Sequence, residues 1–253
     1  MNMPRDILEE ISEKKEKVFV IDFPELHEAQ KTVAESDARW KILCAGRRFG
    51  KSRLGVQLCI QEALAGGRVW WVAPTFSIAK VGWRDVVSAA SVFPKESGVD
   101  VKVGDMTVTF PGGGSISVKS ADNPQRLRGE GLNFLVMDEA AFVREETWTE
   151  VLRPTLTENK GSALFISTPI GMDNWFFKLW ERAEHSEDWA RFQYPTVANP
   201  IIDPKEVELA REELGELVFA QEYLAEFISE GAQIFRSHWF NYYKLGLGTV
   251  HEG

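Results

Sequence analysis

The amino-acid sequence predicts an α/β fold with a mostly parallel central sheet that is flanked by helices. Short apolar runs alternate with amphipathic helical patterns, which is typical of strands joined by helices. The runs are nearly continuously apolar, as in strands that are covered on both faces. A chain of 253 residues that is 44% hydrophobic can also form one large core without a disulfide or a structural metal. The four runs are WKILCA (40–45), RVWWVAPT (68–75), FLVMDEAAF (134–142) and SALFISTPIG (162–171).

Helical patterns fill the spaces between these strands. A charge-rich helix is expected over residues 5–17, and LHEAQKTVAES predicts a second one. Helices over 53–66 and 76–93 follow the first two strands. ETWTEVLRPTL predicts a helix that Pro154 kinks or ends. Beyond residue 200, one or two amphipathic helices are expected to lead into a last strand.

One segment departs from this alternation. In MTVTFPGGGSISVKS (106–120), two short alternating runs flank Pro-Gly-Gly-Gly, which predicts a small β-hairpin insertion. The segment DNPQRLRGEGLN (122–133) that follows is polar and is expected to be a loop.

Charge and cysteine content exclude several classes of protein. Twenty-nine basic and 38 acidic side chains give a net charge of −9, which excludes binding of nucleic acid by bulk positive charge but leaves room for a basic loop or ring channel. Cys44 and Cys59 form no CxxC pair, so no disulfide framework or thiolate zinc site is expected, and a reducing cytoplasm fits best. The charged N-terminus does not resemble a signal peptide, and no apolar run approaches the ~18 residues of a membrane span.

The motif CAGRRFGKS directly follows the first strand and opens a helix, which is the setting of a phosphate-binding loop. Gly46 and Gly50 give the backbone freedom to curl its N–H groups around phosphates, Lys51 can reach the outer phosphates, and Ser52 can bind magnesium. In the usual GxxxxGK[ST] spacing the first glycine would fall at Ala45, so the turn is expected to be shifted by one residue. The alternative is a chance Gly-Lys-Ser at the start of a helix.

The strand FLVMDE supplies two adjacent carboxylates at its end. We expect Asp138 to hold magnesium, directly or through water, and Glu139 to act as the general base toward an attacking water. The two roles are separate because a carboxylate bound to the cation cannot also accept a proton near neutral pH. The alternative is an acidic pair that merely ends a strand.

The combination of AGRRFGKS, a loop with LRG, LVMDEAAF and FISTP resembles the ATPase domain of tailed-phage terminase large subunits. That resemblance covers the chain from about residue 30 to 227. It implies a P-loop NTPase of the ASCE/RecA-like type, with a strand inserted between the phosphate-loop strand and the acidic strand. The expected activity is ATP hydrolysis with Mg²⁺ that drives double-stranded viral DNA into a procapsid.

The resemblance also implies a division of the chain. Residues 1–24 would be an N-terminal arm, 25–230 the P-loop ATPase domain, and 231–253 a linker toward a C-terminal nuclease domain. The acidic cluster that such a nuclease needs is not in this sequence, so no nuclease activity is expected of it.

Nucleotide contacts are carried over from the family residue by residue. Gln30 matches the glutamine that reads adenine, although it could also be an ordinary helical glutamine. Either Arg47 or Arg48 could lie against the γ-phosphate in cis. The expected nucleotide-binding residues are Gln30, Gly46, Arg47, Arg48, Phe49, Gly50, Lys51 and Ser52.

Two further motifs match the family. Arg128 corresponds to an arginine finger that enters a neighbouring subunit, with Arg126 as the alternative finger; the other reading is a loop arginine that contacts DNA or a surface acid. Ser167 and Thr168 in FISTP match the coupling motif that senses the γ-phosphate, although a helix cap after a strand would account for them equally well.

The implied partners are double-stranded DNA, a portal protein and a small terminase subunit, with the chain in a homo-oligomeric ring on the procapsid. It would act in the host cytoplasm and transiently at the portal vertex, without a membrane. The glycine turn 111–114 or Lys119 could contact DNA. The alternatives are a DNA helicase or translocase, a nucleotide-gated binding module, and a small-molecule kinase. A helicase is not favoured because the sequence shows no second recombinase-like domain. The Asp-Glu pair argues against a nucleotide-gated binding module. A small-molecule kinase would need a lid and an acceptor pocket, and neither is clear in the sequence.

Overall fold

The computed structural model describes residue 21 and residues 23–229, and these form an α/β fold around one eight-stranded sheet. The predicted fold class is confirmed. The strands are β1 (Trp40–Ala45), β2 (Arg68–Ala73), β3 (Asp100–Lys102), β4 (Thr107–Thr109), β5 (Ser115–Ser120), β6 (Phe134–Asp138), β7 (Ser162–Ser167) and β8 (Trp189–Tyr194).

The helices lie on both faces of this sheet. The longer ones are α1 (Glu28–Ala34), α2 (Lys51–Leu64), α3 (Phe76–Ala90), α5 (Trp175–Ala183), α6 (Pro204–Glu213) and α7 (Glu216–Glu222). A π-helical segment (Thr147–Leu152) continues into the short α4 (Arg153–Thr155). Short 3₁₀ turns are formed by Lys95–Ser97, Pro124–Leu127, Ala140–Phe142 and Thr196–Ala198.

The strand order of the sheet is β3-β4-β5-β2-β6-β7-β1-β8. From β5 to β8 every neighbouring pair is parallel, whereas β3, β4 and β5 are antiparallel to one another. The hairpin predicted over 106–120 is therefore present as β4 and β5, and β3 extends it by one strand. Strand β7 separates β1 from β6, so the inserted strand expected from the family resemblance is also present.

Two apolar layers, one on each face of the sheet, explain the continuous apolar runs. Leu43 and Ala45 of β1 face the layer that α2 and α3 cover, whereas Ile42 and Cys44 face the opposite layer. All four side chains are completely buried. Because neither face of β1 meets water, the strand needs apolar residues at successive rather than alternate positions.

Several element boundaries differ from the prediction. Helix α2 begins at Lys51, two residues earlier than expected, because the turn at Gly50 directly precedes the first helical residue. Strand β2 ends at Ala73, since the hydroxyl of Thr75 accepts a hydrogen bond from the backbone N–H of Ile78 and caps α3. Pro154 lies in α4, just after the π-helical segment, and the helical run ends one residue later at Thr155, in accord with the prediction that Pro154 kinks or ends this helix.

Several elements were not predicted, and one predicted element is not found. Besides strand β3, helix α5 and strand β8 lie in stretches for which no element was expected. The expected last strand is absent from residues 223–229, which are the part of that prediction that the structure describes. The helix expected over 5–17, most of the predicted arm and the linker over 231–253 lie outside the described residues. The domain boundaries therefore stay predictions.

Candidate nucleotide site

The carboxyl ends of three neighbouring strands meet at one edge of the sheet. Cys44 of β1 pairs with Ser167 of β7, and Asp138 of β6 pairs with Ile166 of β7. The loop after β1, the acidic end of β6 and the polar end of β7 therefore lie side by side. They open onto a cleft of about 760 Å³ that is lined by Arg47, Arg48, Gly50, Lys51, Ser52, Arg53, Val81, Glu139, Thr168 and Tyr223.

The loop over residues 46–50 has the backbone geometry that phosphate binding requires. Arg48 and Gly50 have positive φ angles of 63° and 99°, which turn the chain so that α2 starts with its N-terminus at the cleft. The unpaired N–H groups and the dipole of a helix N-terminus attract anions. Ala45 is the buried last residue of β1, so the turn begins at Gly46. That placement accounts for the shifted first glycine of the motif.

Lys51 lies folded against the loop that it follows. Its ammonium Nζ donates hydrogen bonds to the carbonyl oxygens of Ala45, at 2.6 Å, and Gly46, at 3.1 Å. Burial lowers the pKa of Lys51, while Glu139 and other nearby acids act in the opposite direction. The ammonium group of Lys51 is thus held inside the loop, while the residue also lines the cleft.

Asp138 and Glu139 occupy different environments although they are adjacent. Asp138 ends β6 and is only 8% exposed. Burial, followed by the negative charge of Glu139, raises the pKa of Asp138 to about 7, against an ordinary value of 3.8. Glu139 lines the cleft, and its Oε2 accepts a hydrogen bond of 3.4 Å from the hydroxyl of Ser167.

A magnesium ion suits these groups. Ser52 offers a hydroxyl at the cleft and Asp138 a buried carboxylate, which are the hard oxygen ligands that the ion prefers. Burial and the neighbouring charge of Glu139 disfavour the ionised form of Asp138 and raise its pKa, and a bound cation would favour that form. No cluster of three or more His, Cys, Asp or Glu side chains with metal-ligand geometry occurs within 23–229, so such a site would rely on few protein ligands.

The side chain of Gln30 is buried and hydrogen-bonded within the protein, so its amide group is not free to bind adenine. It is 2% exposed, its Nε2 donates to the carbonyl of Gly50 at 2.9 Å, and its Oε1 accepts from the backbone N–H of His27 at 3.1 Å. Phe49 is also completely buried, between the rings of His27 and Tyr194. The side chain of Phe49 therefore belongs to the core, and only its backbone can face a nucleotide. The adenine contact of Gln30 stays a prediction.

Arg47 and Arg48 are both exposed beside the cleft. The guanidinium of Arg47 forms an ion pair with Glu222, while its backbone N–H donates to the carbonyl of Glu222 at 2.7 Å.

The segment that follows β8 packs against the outside of the phosphate loop and forms an outer wall there. This contact was not predicted from the sequence. The hydroxyl of Thr196 donates to the carbonyl of Arg47, and the amide Nδ2 of Asn199 donates to the carbonyl of Arg48, both at 2.8 Å. The N–H of Gly46 donates to the carbonyl of Tyr194 at 3.0 Å. No sequence signal marked these residues, because they lie about 150 positions from the loop.

The remaining predicted residues divide into two groups. Ser167 is completely buried and Thr168 is 7% exposed, and both lie beside Glu139. Arg126 and Arg128 are exposed in the loop after β5 and do not line the cleft of their own chain. The structure thus brings Ser167 and Thr168 into the site and leaves both candidate fingers outside it.

Comparison with known proteins gives a family. The family model described as "Terminase large subunit, T4likevirus-type, N-terminal" matches residues 42–242 of this chain. The chain belongs to the terminase large subunit family. The terminase large subunit of Thermus virus P23-45 is 31% identical to this chain, and the match covers 83% of this chain and 50% of that protein. The terminase large subunit of Escherichia phage T5 is 30% identical, and the match covers 78% of this chain and 46% of that protein. This terminase chain therefore spans about half the length of the curated relatives it matches.

Solved structures agree with the family. The large terminase ATPase domain of Thermus phage P74-26 superposes with a TM-score of 0.69 at 28% identity, covering 81% of this chain and 94% of that domain. A large terminase of bacteriophage D6E, solved in complex with ADP, has a TM-score of 0.66 over 81% of this chain and 54% of that one. At 16% identity the D6E structure shows the fold alone. Within the described part of this terminase chain, no helix is both long and apolar enough to cross a membrane.

Proposed function

We propose that this chain is an ATP-hydrolysing motor domain that powers the translocation of double-stranded viral DNA into a procapsid. The observation that carries the proposal is the meeting of three strand ends at one cleft. They bring the phosphate loop, the acidic pair and the Ser167–Thr168 motif together. A curled loop of N–H groups beside two carboxylates suits a nucleoside triphosphate and its magnesium ion. The similarity to a large terminase ATPase domain supports the same function.

In this function the phosphates of ATP lie on the loop over residues 46–52, against N–H groups other than those of Gly46 and Arg47, which already donate to the carbonyls of Tyr194 and Glu222. Lys51 leaves the carbonyls of Ala45 and Gly46 and turns its ammonium to the phosphates. Either Arg47 or Arg48 lies against the γ-phosphate. Gln30 reads adenine by exchanging its present partners at Gly50 and His27 for the base.

Ser52 and Asp138 would hold the magnesium ion. When bound, the ion supplies positive charge that stabilises the transferring phosphoryl group. Glu139 orients the attacking water and accepts its proton, since its carboxylate lines the cleft and is not needed as a metal ligand. The hydroxyl of Ser167 donates to that carboxylate, and Thr168 lines the same cleft. These contacts support a role of the pair in sensing whether the γ-phosphate is present.

A second subunit completes the site. Arg128 is exposed and lies outside the cleft of its own chain, which suits a finger that enters a neighbour in a homo-oligomeric ring. Arg126 is the alternative finger. Such a ring would act on DNA at the portal of the procapsid in the host cytoplasm, together with a portal protein and a small terminase subunit.

The first test is Glu139→Gln. Glutamine keeps the size of the side chain but cannot accept a proton, so turnover of ATP should fall about 10²- to 10⁴-fold while ATP binding is retained. Phosphate release and binding of ATP with Mg²⁺ are measured in parallel, with Glu145→Gln, an exposed acid at the start of the following helical segment, as the matched control. Retained turnover in Glu139→Gln would refute the role of Glu139.

The second test asks whether a neighbour completes the site. Arg128→Ala and Glu139→Gln should each be nearly inactive, because a finger contributes about 10³-fold or more to the rate. When the two variants are mixed with double-stranded DNA, a Glu139→Gln subunit can lend its intact Arg128 to an Arg128→Ala neighbour, and activity should return. Specific activity of the wild type should also rise with protein concentration. Mixtures that stay inactive would exclude Arg128 as a finger in trans.

A further inference from the structure

The backbone of Glu139 adopts a conformation that its surroundings must enforce. Its φ and ψ angles are 46° and 49°, in the left-handed region that residues with a side chain rarely adopt. This turn carries the chain from β6 into the 3₁₀ turn Ala140–Phe142 and aims the carboxylate of Glu139 into the cleft. Strained backbone at a site persists only where neighbouring groups hold it.

Two side chains from other elements hold this turn. The hydroxyl of Ser167 accepts a hydrogen bond of 3.4 Å from the N–H of Ala141. The amide Nδ2 of Asn174 donates a shorter bond, of 2.8 Å, to the carbonyl oxygen of the same residue. The peptide groups on both sides of Ala141 are therefore fixed from outside, two residues after Glu139.

Asn174 is itself rigidly placed. Its Oδ1 accepts a hydrogen bond of 2.7 Å from the N–H of Phe176 and caps the N-terminus of α5. Helix α5 is anchored by Phe176 and Leu179, which are buried in the core. One amide group thus joins a fixed helix end to the strained turn, while Asn174 does not line the nucleotide cleft.

We propose that Asn174 is a positioning residue for the reaction, and that its bond to the carbonyl of Ala141 sets the direction of the Glu139 carboxylate. The inference rests on the proposed ATPase function. It assigns a role in the rate of the chemical step to a residue that touches neither nucleotide nor metal. A misplacement of about 1 Å in a catalytic group can cost about 10²-fold in rate.

Two substitutions separate this role from the capping of α5. Asn174→Asp keeps an oxygen that can accept from Phe176 but cannot donate to Ala141. Asn174→Ser also keeps a capping oxygen, is too short to reach Ala141 and adds no charge. Both variants should stay folded at the assay temperature, with a lower Tm because the carbonyl of the buried Ala141 loses its partner. Both should lower kcat about 10- to 100-fold with the KM for ATP within about twofold. Asn159→Asp, at an exposed asparagine, is the matched control.

Asn199 provides a contrast within the same protein. It makes the same two bonds as Asn174, an Nδ2 bond to a carbonyl and an Oδ1 bond from an N–H two residues later, but its carbonyl partner is Arg48 in the phosphate loop. Asn199→Asp should therefore raise the KM for ATP, whereas Asn174→Asp should lower kcat.

The decisive readout is the combination with Glu139→Gln. If Asn174 acts through Glu139, adding Asn174→Asp to Glu139→Gln should cause less than a twofold further loss of turnover. An equal fold-loss in both backgrounds, or an unchanged kcat in both Asn174 variants, would overturn the inference. A wild-type chain with no ATPase activity would instead overturn the proposed function, and this inference with it.

Discussion

Replacing Asp138 by asparagine is expected to stabilise the protein when neither metal nor nucleotide is bound, and the gain should increase with pH. Asparagine has nearly the same shape, and its Oδ1 can still accept the hydrogen bond that the N–H of Glu139 donates to Asp138 at 3.1 Å. What the substitution removes is a negative charge that is buried beside Glu139. Burial of a charge without a partner is costly, so its removal should favour the folded state.

The magnitude follows from the raised pKa of Asp138. An ordinary aspartate releases its proton near pH 3.8, whereas Asp138 in the folded protein releases it near pH 7. Below pH 3.8 the carboxyl group is protonated in both states and has no effect. Between these values the folded protein retains a proton that the unfolded chain has lost, so stability falls as pH rises. The cost is about 2 kcal/mol at pH 5 and about 4 kcal/mol at pH 8.

Urea unfolding in the presence of EDTA measures this difference directly. The free energy of unfolding of Asp138→Asn should exceed that of the wild type by about 2–3 kcal/mol more at pH 8 than at pH 5. Asp173→Asn, at an exposed aspartate, should show no such change. Addition of Mg²⁺ and ATP should narrow the gap, because the wild type gains more from the bound ion. A gap that is equal at the two pH values would refute the argument.

Two other predictions concern the core. Gly82→Ala should lower the free energy of unfolding by about 1–3 kcal/mol, because a Cβ there would lie 2.4 Å from Nε1 of the buried Trp71. Chemical denaturation beside Gly104→Ala, where a Cβ meets open space, checks it, and equal losses would contradict it. Burial raises the pKa of the Cys44 thiol to about 12 and also raises that of Cys59. Both thiols should resist alkylation at pH 8 in the folded protein and react in guanidinium, and rapid labelling without denaturant would show that they are accessible.

The parts of the site that the sequence predicted are those encoded within a few consecutive residues. The phosphate loop combines a buried strand, two glycines and a helix start in nine residues. The acidic pair ends an apolar strand directly. Both motifs follow strands of the parallel part of the sheet, and parallel strands carry their carboxyl ends to one edge, which is why the two motifs meet. The pairing of β6, β7 and β1 is in accord with that reasoning.

The parts that escaped prediction have weak local patterns. Strand β8 is at the edge of the sheet and is mostly half-buried, so its sequence WARFQY lacks the apolar run that revealed the central strands. Helix α5 has only nine residues, and its buried positions Phe176, Leu179 and Ala183 span barely two turns. Gln30 matched its family position by residue type, but its hydrogen bonds to Gly50 and His27 could not be inferred from the sequence.

The outer wall of the phosphate loop shows why long-range contacts also matter for function. The N–H groups of Gly46 and Arg47 are bonded to the segment 194–223, and a Cβ at Gly46 would lie 2.6 Å from the carbonyl oxygen of Tyr223. Close-packed groups of this kind transmit a displacement instead of absorbing it. If phosphate binding shifts the loop, the shift must either break these bonds or carry the segment along. Breaking the bond at Gly46, which is buried, would leave its N–H group without a partner, which costs about 1–3 kcal/mol. Movement of the whole segment is therefore the less costly response, and it links the nucleotide site to the part of the chain that follows β8.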